Sequence, residues 1–69
     1  MQIRSYSKSE LAQAYAPEIT PHAAVNRLMV WIKLNAPQYE ALKQSGYTDN
    51  RRLFTVRQVE LIFEYLGEP

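Results

Sequence analysis

The sequence contains no cysteine, only two glycines and a single histidine. Without cysteine the chain cannot hold a disulfide framework or a thiolate zinc site, and one histidine leaves too few ligands for a transition-metal cluster. Two glycines cannot supply a glycine-rich phosphate-binding loop. No apolar run approaches the ~20 residues that span a bilayer, and the N-terminal MQIRSYSKSE lacks the apolar segment of a signal peptide. We therefore expect a soluble, cytoplasmic protein.

The length and composition fit one small globular domain. Of the 69 residues, 46% are hydrophobic and 22% are charged, which are ordinary values for a folded protein and exclude a disordered chain. A domain of this size buries only about 60% of the surface of its unfolded chain, so its core is thin. We therefore predict a single domain over residues 1–69, with little room for a ligand pocket.

The charge is unevenly distributed, although the formal net charge is only +1. Residues 1–57 hold all eight basic residues and four acidic ones, a net +4, whereas residues 58–69 hold three glutamates and no basic residue, a net −3. Such segregation allows a nearly neutral protein to present a basic face to a polyanion. The alternative is a solvated surface on which the charges are segregated by chance.

The first predicted helix is marked at both of its ends. Ser7 and Glu10 form an S-x-x-E capping box, and Tyr6 and Leu11 occupy the two positions of a hydrophobic staple. Pro17 ends the helix at about residue 16, because the residue before a proline avoids the helical conformation.

The second predicted helix covers residues 21–35, with Thr20 as its N-cap and Pro21 in the first turn, where a missing N–H costs nothing. An apolar stripe follows at helical spacing: Ala24, Val25, Leu28 and Ile32. Outside that stripe the N-terminal half is polar, whereas the C-terminal half carries Met29, Val30 and Leu34. We therefore expect this helix to be exposed at its N-terminal end only.

A short third helix is predicted over residues 37–45, with Tyr39 and Leu42 facing inward. Gly46 suits the left-handed position that follows a helix. In such an ending, Tyr47 can fold back on Leu42 and close the helix with an apolar contact.

Residues 47–54 contain the turn signal Asp49-Asn50, followed by paired arginines and two apolar residues. This pattern predicts either a tight hairpin or an ordered loop. Near the N-terminus, residues 3–6 show a weak pattern of a short strand.

The fourth helix repeats the signals of the first, since Thr55 and Gln58 make a T-x-x-Q capping box and Phe54 and Val59 a staple. Its apolar stripe is the cleanest in the sequence: Val59, Ile62, Phe63 and Leu66. The predicted fold is therefore mainly α, a compact four-helix domain with a helix-turn-helix-like core. One of the two alternatives for residues 47–54 adds a short β-hairpin, or wing.

No group of residues predicts catalysis. His22 has no cysteine or metal-spaced partner and stands in the first turn of a helix, where a surface histidine without a catalytic role is expected. The carboxylates are spread over helix surfaces rather than paired in a cleft. We expect a protein that is not an enzyme and that uses no metal, cofactor or small-molecule substrate.

A short helix, a turn and a second helix with a polar N-terminal half are how helix-turn-helix proteins present side chains to the major groove of DNA. In this interpretation Asn26 can pair with adenine and Arg27 with guanine, while Arg51 and Arg52 hold backbone phosphate. The candidate DNA-binding residues are Thr20, His22, Asn26, Arg27, Arg51, Arg52 and Arg57. The competing interpretation is that two helices joined by a turn occur in most small helical domains and that arginine pairs are commonly solvated.

A second hypothesis concerns apolar residues outside the main stripes. Leu61 and Tyr65 lie opposite the stripe of the last helix, and Val30 and Leu34 lie off the stripe of the second. Internal packing is favoured more for Val30 and Leu34 than for Leu61 and Tyr65, and a pair that the chain leaves uncovered is a surface for a protein partner or a two-fold homodimer. Leu61 and Tyr65 are therefore the candidate interface residues. In this alternative the C-terminal helix makes the chain a protein-interaction module that binds no nucleic acid.

Several segments together resemble a family of short bacterial proteins known only as a domain of unknown function. The resemblance covers nearly the whole chain and is carried by S-K-S-E-L-A-Q-A-Y, I-T-P-H-A-A, L-M-V-W-I, S-G-Y, R-R-L-F-T-V-R-Q-V-E-L-I and Y-L-G-E-P. The family has no established activity, so this resemblance implies no function.

A more distant resemblance links an E-L-A helix, a T-P helix start and a closing R-x-F-T-x-x-Q-V-x-x-I to MerR-like and excisionase-like winged-helix domains. It implies recognition-helix positions at Thr20, His22, Asn26 and Arg27, and a wing that carries Arg51 and Arg52. The sequence departs from that pattern by an extra short helix around residues 39–45, and it lacks the downstream effector-binding region. The resemblance therefore implies a bare DNA-binding or architectural module.

Overall fold

The computed structural model describes residues 1–69 and consists of four helices and a small two-stranded antiparallel sheet, which confirms the prediction of a mainly α, four-helix domain. No helix combines the length and the hydropathy that crossing a membrane requires. The elements in chain order are β1 (Tyr6–Ser7), α1 (Lys8–Tyr15), α2 (Pro21–Leu34), α3 (Ala36–Gln44), β2 (Leu53–Phe54) and α4 (Val56–Leu66).

Capping boxes begin the first and last helices, as the sequence predicts. At α1 the Ser7 hydroxyl accepts the Glu10 N–H at 3.1 Å, and the Glu10 carboxylate accepts the Ser7 N–H at 3.3 Å. At α4 the Thr55 hydroxyl accepts the Gln58 N–H at 3.2 Å, and the Gln58 side chain accepts the Thr55 N–H at 3.0 Å. Each box satisfies two backbone N–H groups that the helix itself leaves without acceptors.

A single residue separates α2 from α3. Asn35 ends α2, and its side-chain oxygen accepts the Gln38 N–H at 3.1 Å, so the same residue is the N-cap of α3. At the other end of α3, Gly46 has φ +99°, and the Tyr47 N–H donates to the Leu42 carbonyl at 3.1 Å. The predicted Schellman ending is therefore present.

The two strands pair across the length of the chain. Tyr6 is opposite Phe54 and Ser7 is opposite Leu53 in the antiparallel register. The sheet partner of β2 is thus the segment before α1, and residues 47–52 form an ordered loop. A self-contained hairpin within residues 47–54 is the alternative that the structure does not adopt, because β2 pairs with β1.

The core lies between the helices and the small sheet. Its largest fully buried apolar side chains come from every helix and from β2: Phe54, Leu11, Leu28, Ile32, Leu42, Ile62 and Val59. Both predicted staples contribute, since Tyr6 and Leu11 are buried before and within α1, and Phe54 and Val59 are buried before and within α4. A polar residue, Gln38, is also fully buried, although its sequence position gives no sign of this.

Two expectations about exposure are wrong. The C-terminal half of α2 is not covered, since Val30 is 55% and Leu34 is 79% exposed. Conversely, Leu61 is only 6% exposed and belongs to the core, whereas Tyr65 is 41% exposed. α3 packs against both α2 and α4, but it does not cover Val30 and Leu34 on the outer side of α2.

Candidate nucleic-acid interface

A cleft of about 480 Å³ lies where the first turns of α1 and α2 meet the loop that precedes β2. Two cationic side chains and a histidine line it, from three different parts of the chain: Lys8, Arg52 and His22. The other lining residues are Ser7, Ser9, Pro21 and Val25, so no carboxylate lines this cleft. We call it the basic cleft.

Local structure and strand pairing both position the walls of the basic cleft. Lys8 and His22 stand in the first turns of their helices because Ser7 and Thr20 are the N-caps. Arg52 directly precedes β2, and its carbonyl accepts the Lys8 N–H at 2.8 Å. The N–H of His22 has no acceptor within the protein, because it lies in the first turn of α2.

A second groove, of about 430 Å³, adjoins the basic cleft through Arg52, which lines both. Arg51 and Arg52 line it together with polar groups from the end of α3 and the start of α4: Ser45, Thr55 and Gln58. None of the five ion pairs of the protein involves Arg51, Arg52 or Arg57. The guanidinium groups of the loop are therefore free to bind an anion. We call this groove the arginine groove.

One carboxylate organises the basic residues beside the cleft. Asp49 accepts a hydrogen bond from the Lys33 ammonium at 3.2 Å and another from the Tyr39 hydroxyl at 3.2 Å. The hydrogen bond from Lys33 is the main cause that lowers the pKa of Asp49. The Lys8 ammonium donates to the backbone carbonyl of Asp49 at 3.0 Å and lies 5.0 Å from the centre of the Tyr47 ring. Burial lowers the pKa of Lys8, although Asp49 opposes that shift.

The predicted recognition residues do not all lie on one side of α2. Each residue advances about 100° around a helix, so Asn26 projects about 40° from His22, whereas Arg27 projects about 140° from it. Arg27 also forms an ion pair with Glu18, with 3.6 Å between nitrogen and oxygen. His22 and Asn26 thus share an exposed side of α2, and Arg27 lies on the other flank.

Four of the candidate residues line neither the basic cleft nor the arginine groove: Thr20, Asn26, Arg27 and Arg57. The Thr20 hydroxyl accepts the Ala23 N–H at 3.3 Å, so this side chain serves as the cap of α2. Arg57 is exposed in the first turn of α4 and lines neither the basic cleft nor the arginine groove.

Sequence reasoning missed Lys8 and the size of the clefts. Lys8 lies beside Arg52 only because β1 pairs with β2, and this long-range pairing leaves no periodic signal in the sequence. The clefts exceed the expected space for a ligand because they are open surface depressions between elements rather than enclosed cavities. Their side chains supply positive charge and hydrogen-bond donors, which suit phosphate oxygens.

Comparison with known proteins identifies one relationship. No curated protein and no solved structure matches the chain. A family model described as a domain of unknown function, DUF4248, matches residues 2–69 and thus nearly the whole chain. The chain therefore belongs to the DUF4248 family.

Proposed function

We propose that this protein is a cytoplasmic, non-enzymatic DNA-binding protein that acts as a regulator of transcription or of a mobile element. The observation that carries the proposal is the basic cleft, where Lys8, His22 and Arg52 converge without any carboxylate in the lining. A phosphodiester backbone is the polyanion that such a surface suits, because phosphate contacts supply most of the affinity of small DNA-binding domains.

The exposed first half of α2 supports contact with a groove of the duplex. Pro21, His22, Ala23 and Asn26 are all exposed, so no part of the protein has to move before α2 approaches DNA. Asn26 is suited to reading a base, because its amide can form two hydrogen bonds with adenine.

The arginine groove extends the phosphate-binding surface beyond α2. Arg51 and Arg52 form no ion pair within the protein. They can therefore bind phosphate without breaking an existing ion pair. In this proposal Arg27 is not a base-reading residue, since it lies on the other flank of α2 and pairs with Glu18.

Fluorescence anisotropy with labelled duplexes tests the proposal. We expect micromolar binding at about 50 mM salt and a steep loss of affinity by about 200 mM salt. The double variant Arg51→Ala with Arg52→Ala should weaken binding to all duplexes about equally and reduce the salt slope by about 2. In contrast, Asn26→Ala should change the preference among sequences.

A matched control removes the same charge elsewhere. The double variant Arg4→Ala with Lys43→Ala deletes two cations that pair with Glu10 and Glu40, and it should leave the salt slope unchanged. The proposal is wrong if the folded protein binds no duplex at about 50 mM salt, or if this control weakens binding as much as the arginine-groove variant.

A further inference from the structure

The arginine groove has a buried polar floor. Gln58 lines the groove, although only 3% of this residue is exposed. Its side-chain nitrogen donates to the Ser45 hydroxyl at 3.2 Å, and its side-chain oxygen accepts the Thr55 N–H at 3.0 Å. These hydrogen bonds join the end of α3 to the start of α4 and hold the floor in place.

The floor keeps unused hydrogen-bonding capacity. A primary amide has two N–H donors and two lone pairs on its oxygen, and Gln58 uses one of each within the protein. The Thr55 hydroxyl accepts the Gln58 N–H at 3.2 Å and donates to no group of the protein. The groove therefore offers a ligand two uncharged donors and an acceptor.

The positive charge of the groove lies at its rim. Arg51 and Arg52 line the groove and are exposed, and neither forms an ion pair within the protein. No carboxylate and no aromatic side chain lines the groove. A guanidinium group suits phosphate, because it can donate two parallel hydrogen bonds to phosphate oxygens. The helix dipole of α4, which begins at this groove, also favours an anion there.

A small ligand suits this combination of rim and floor better than a duplex does. The groove has a volume of about 430 Å³, within the range of roughly 300–1,000 Å³ that is usual for small-molecule sites. The phosphates of a duplex lie on a convex surface, so they can contact the exposed arginines but cannot reach Gln58. Without an aromatic side chain the groove offers no platform for a nucleobase, whereas a sugar hydroxyl can donate to the floor and accept from it.

We propose that the arginine groove binds the phosphate monoester of a small sugar. The guanidinium groups of Arg51 and Arg52 hold the phosphate, while the Gln58 amide and the Thr55 hydroxyl bind hydroxyl groups of the sugar. A consequence that rests on the proposed function is that the sugar phosphate competes with the DNA backbone for the two arginines.

An NMR titration without DNA, in a buffer free of phosphate, tests this site. Ribose 5-phosphate is the probe, and it should shift the backbone amide signals of the groove residues until they reach saturation. We expect it to bind about fivefold more tightly than inorganic phosphate, which is the gain that one additional hydrogen bond provides. Ribose without a phosphate should cause no shifts.

Two variants test the rim and the floor separately. Arg51→Gln changes an exposed loop residue and should weaken the binding of ribose 5-phosphate at least tenfold, because a hydrogen bond between charged groups is lost. Gln58→Glu keeps the capping box of α4, since glutamate forms the same box, but it places a negative charge at the floor and should abolish binding. The matched control Arg57→Gln changes an exposed arginine that lines neither groove and should leave the affinity unchanged.

Three results overturn the proposal. The first is that ribose 5-phosphate causes no saturable shifts, and the second is that it binds no more tightly than inorganic phosphate. The third is that Arg51→Gln and Arg57→Gln weaken its binding equally. Duplexes with 5′-phosphate and 5′-hydroxyl ends identify the other source of this chemistry. A preference for the 5′-phosphate duplex, together with no binding of ribose 5-phosphate, assigns the groove to a DNA end instead.

The site and the proposed function can fail separately. Ribose 5-phosphate binding by a protein that binds no duplex refutes only the proposed function, whereas duplex binding without ribose 5-phosphate binding refutes only the sugar-phosphate site. If both ligands bind, saturating ribose 5-phosphate should weaken duplex binding several-fold in fluorescence anisotropy. An unchanged duplex affinity would contradict the shared use of Arg51 and Arg52.

Discussion

The backbone N–H of Lys8 donates to the carbonyl oxygen of Arg52 at 2.8 Å. This hydrogen bond continues the pairing of β1 with β2 and ties the first turn of α1 to the arginine-bearing loop. Because α1 also packs against α2, the bond helps to bring Lys8, Arg52 and His22 from distant positions to the basic cleft. The pairing of two short strands thus places Lys8 beside Arg52.

Gln38 is the first target for a stability measurement. Its side chain is fully buried, and neither its amide nitrogen nor its amide oxygen has a hydrogen-bond partner. Because an unpaired buried polar group costs about 1–3 kcal/mol, Gln38→Met should raise the free energy of unfolding in urea by about that amount. The control Gln44→Met changes an exposed residue of the same helix. An equal or lower stability of Gln38→Met would show that the buried amide costs nothing.

The capping box of α4 makes a second prediction about stability. The Thr55 hydroxyl accepts the Gln58 N–H, and the alanine variant leaves that buried donor without an acceptor. Thr55→Ala should therefore lower the free energy of unfolding by about 1 kcal/mol. Thr48→Ala, at an exposed position that caps no helix, serves as the control. Identical urea midpoints for the two variants would contradict the role of the box.

Two tyrosines should make the folded state sensitive to alkali. Burial raises the pKa of Tyr15 from 10.0 to about 12, with a smaller contribution from Glu68, and burial also raises the pKa of Tyr47. Because the folded pKa exceeds the unfolded one, this stabilisation is complete below pH 10 and is lost as the pH rises through the folded value. Thermal melts should therefore show a falling midpoint between about pH 10 and about pH 12.

The tyrosinate absorbance identifies the residues responsible. In the wild type, the absorbance should include a delayed ionisation step from Tyr15, whose pKa is raised to about 12. Tyr15→Phe should reduce that step, whereas Tyr65→Phe, at an exposed position, should leave it in place. A single titration with no delayed step would contradict this account of the buried hydroxyls.

The helix ends could be predicted from sequence because caps depend on residues only a few positions apart. Ser7 with Glu10 and Thr55 with Gln58 form the predicted boxes, and Gly46 adopts the predicted positive φ. Each of these contacts joins residues within about one helical turn of each other, so a short stretch of sequence is enough to predict it.

The coverage of helix faces could not be predicted in the same way. Periodicity assigned Leu61 to the surface and Leu34 to the interior, and the structure reverses both. A helical stripe shows which side is apolar but not which neighbour will cover it, and here α3 packs against both α2 and α4 without covering Val30 and Leu34. The pairing of β1 with β2 could not be predicted from the sequence either, because strands of two residues are too short to show an alternating pattern of apolar and polar residues.

Lys8 offers the sharpest test of the basic cleft, since only the structure places it beside Arg52. On the proposed function, Lys8→Gln should weaken binding to all duplexes about equally and reduce the slope of log affinity against log salt by about 1, the change expected for one lost phosphate contact. Anisotropy titrations at three salt concentrations give this slope.

Two further variants distinguish the effect of losing a positive charge anywhere on the protein from the effect of losing it at position 8. Lys8→Arg keeps the positive charge and should restore the slope, whereas Lys43→Gln removes a lysine that pairs with Glu40 away from both clefts and should leave the slope unchanged. If Lys8→Gln and Lys43→Gln reduce the slope equally, the affinity depends on net charge alone. The convergence of Lys8, His22 and Arg52 would then have no role in binding, and the surface that contacts DNA would have to be sought elsewhere on the domain.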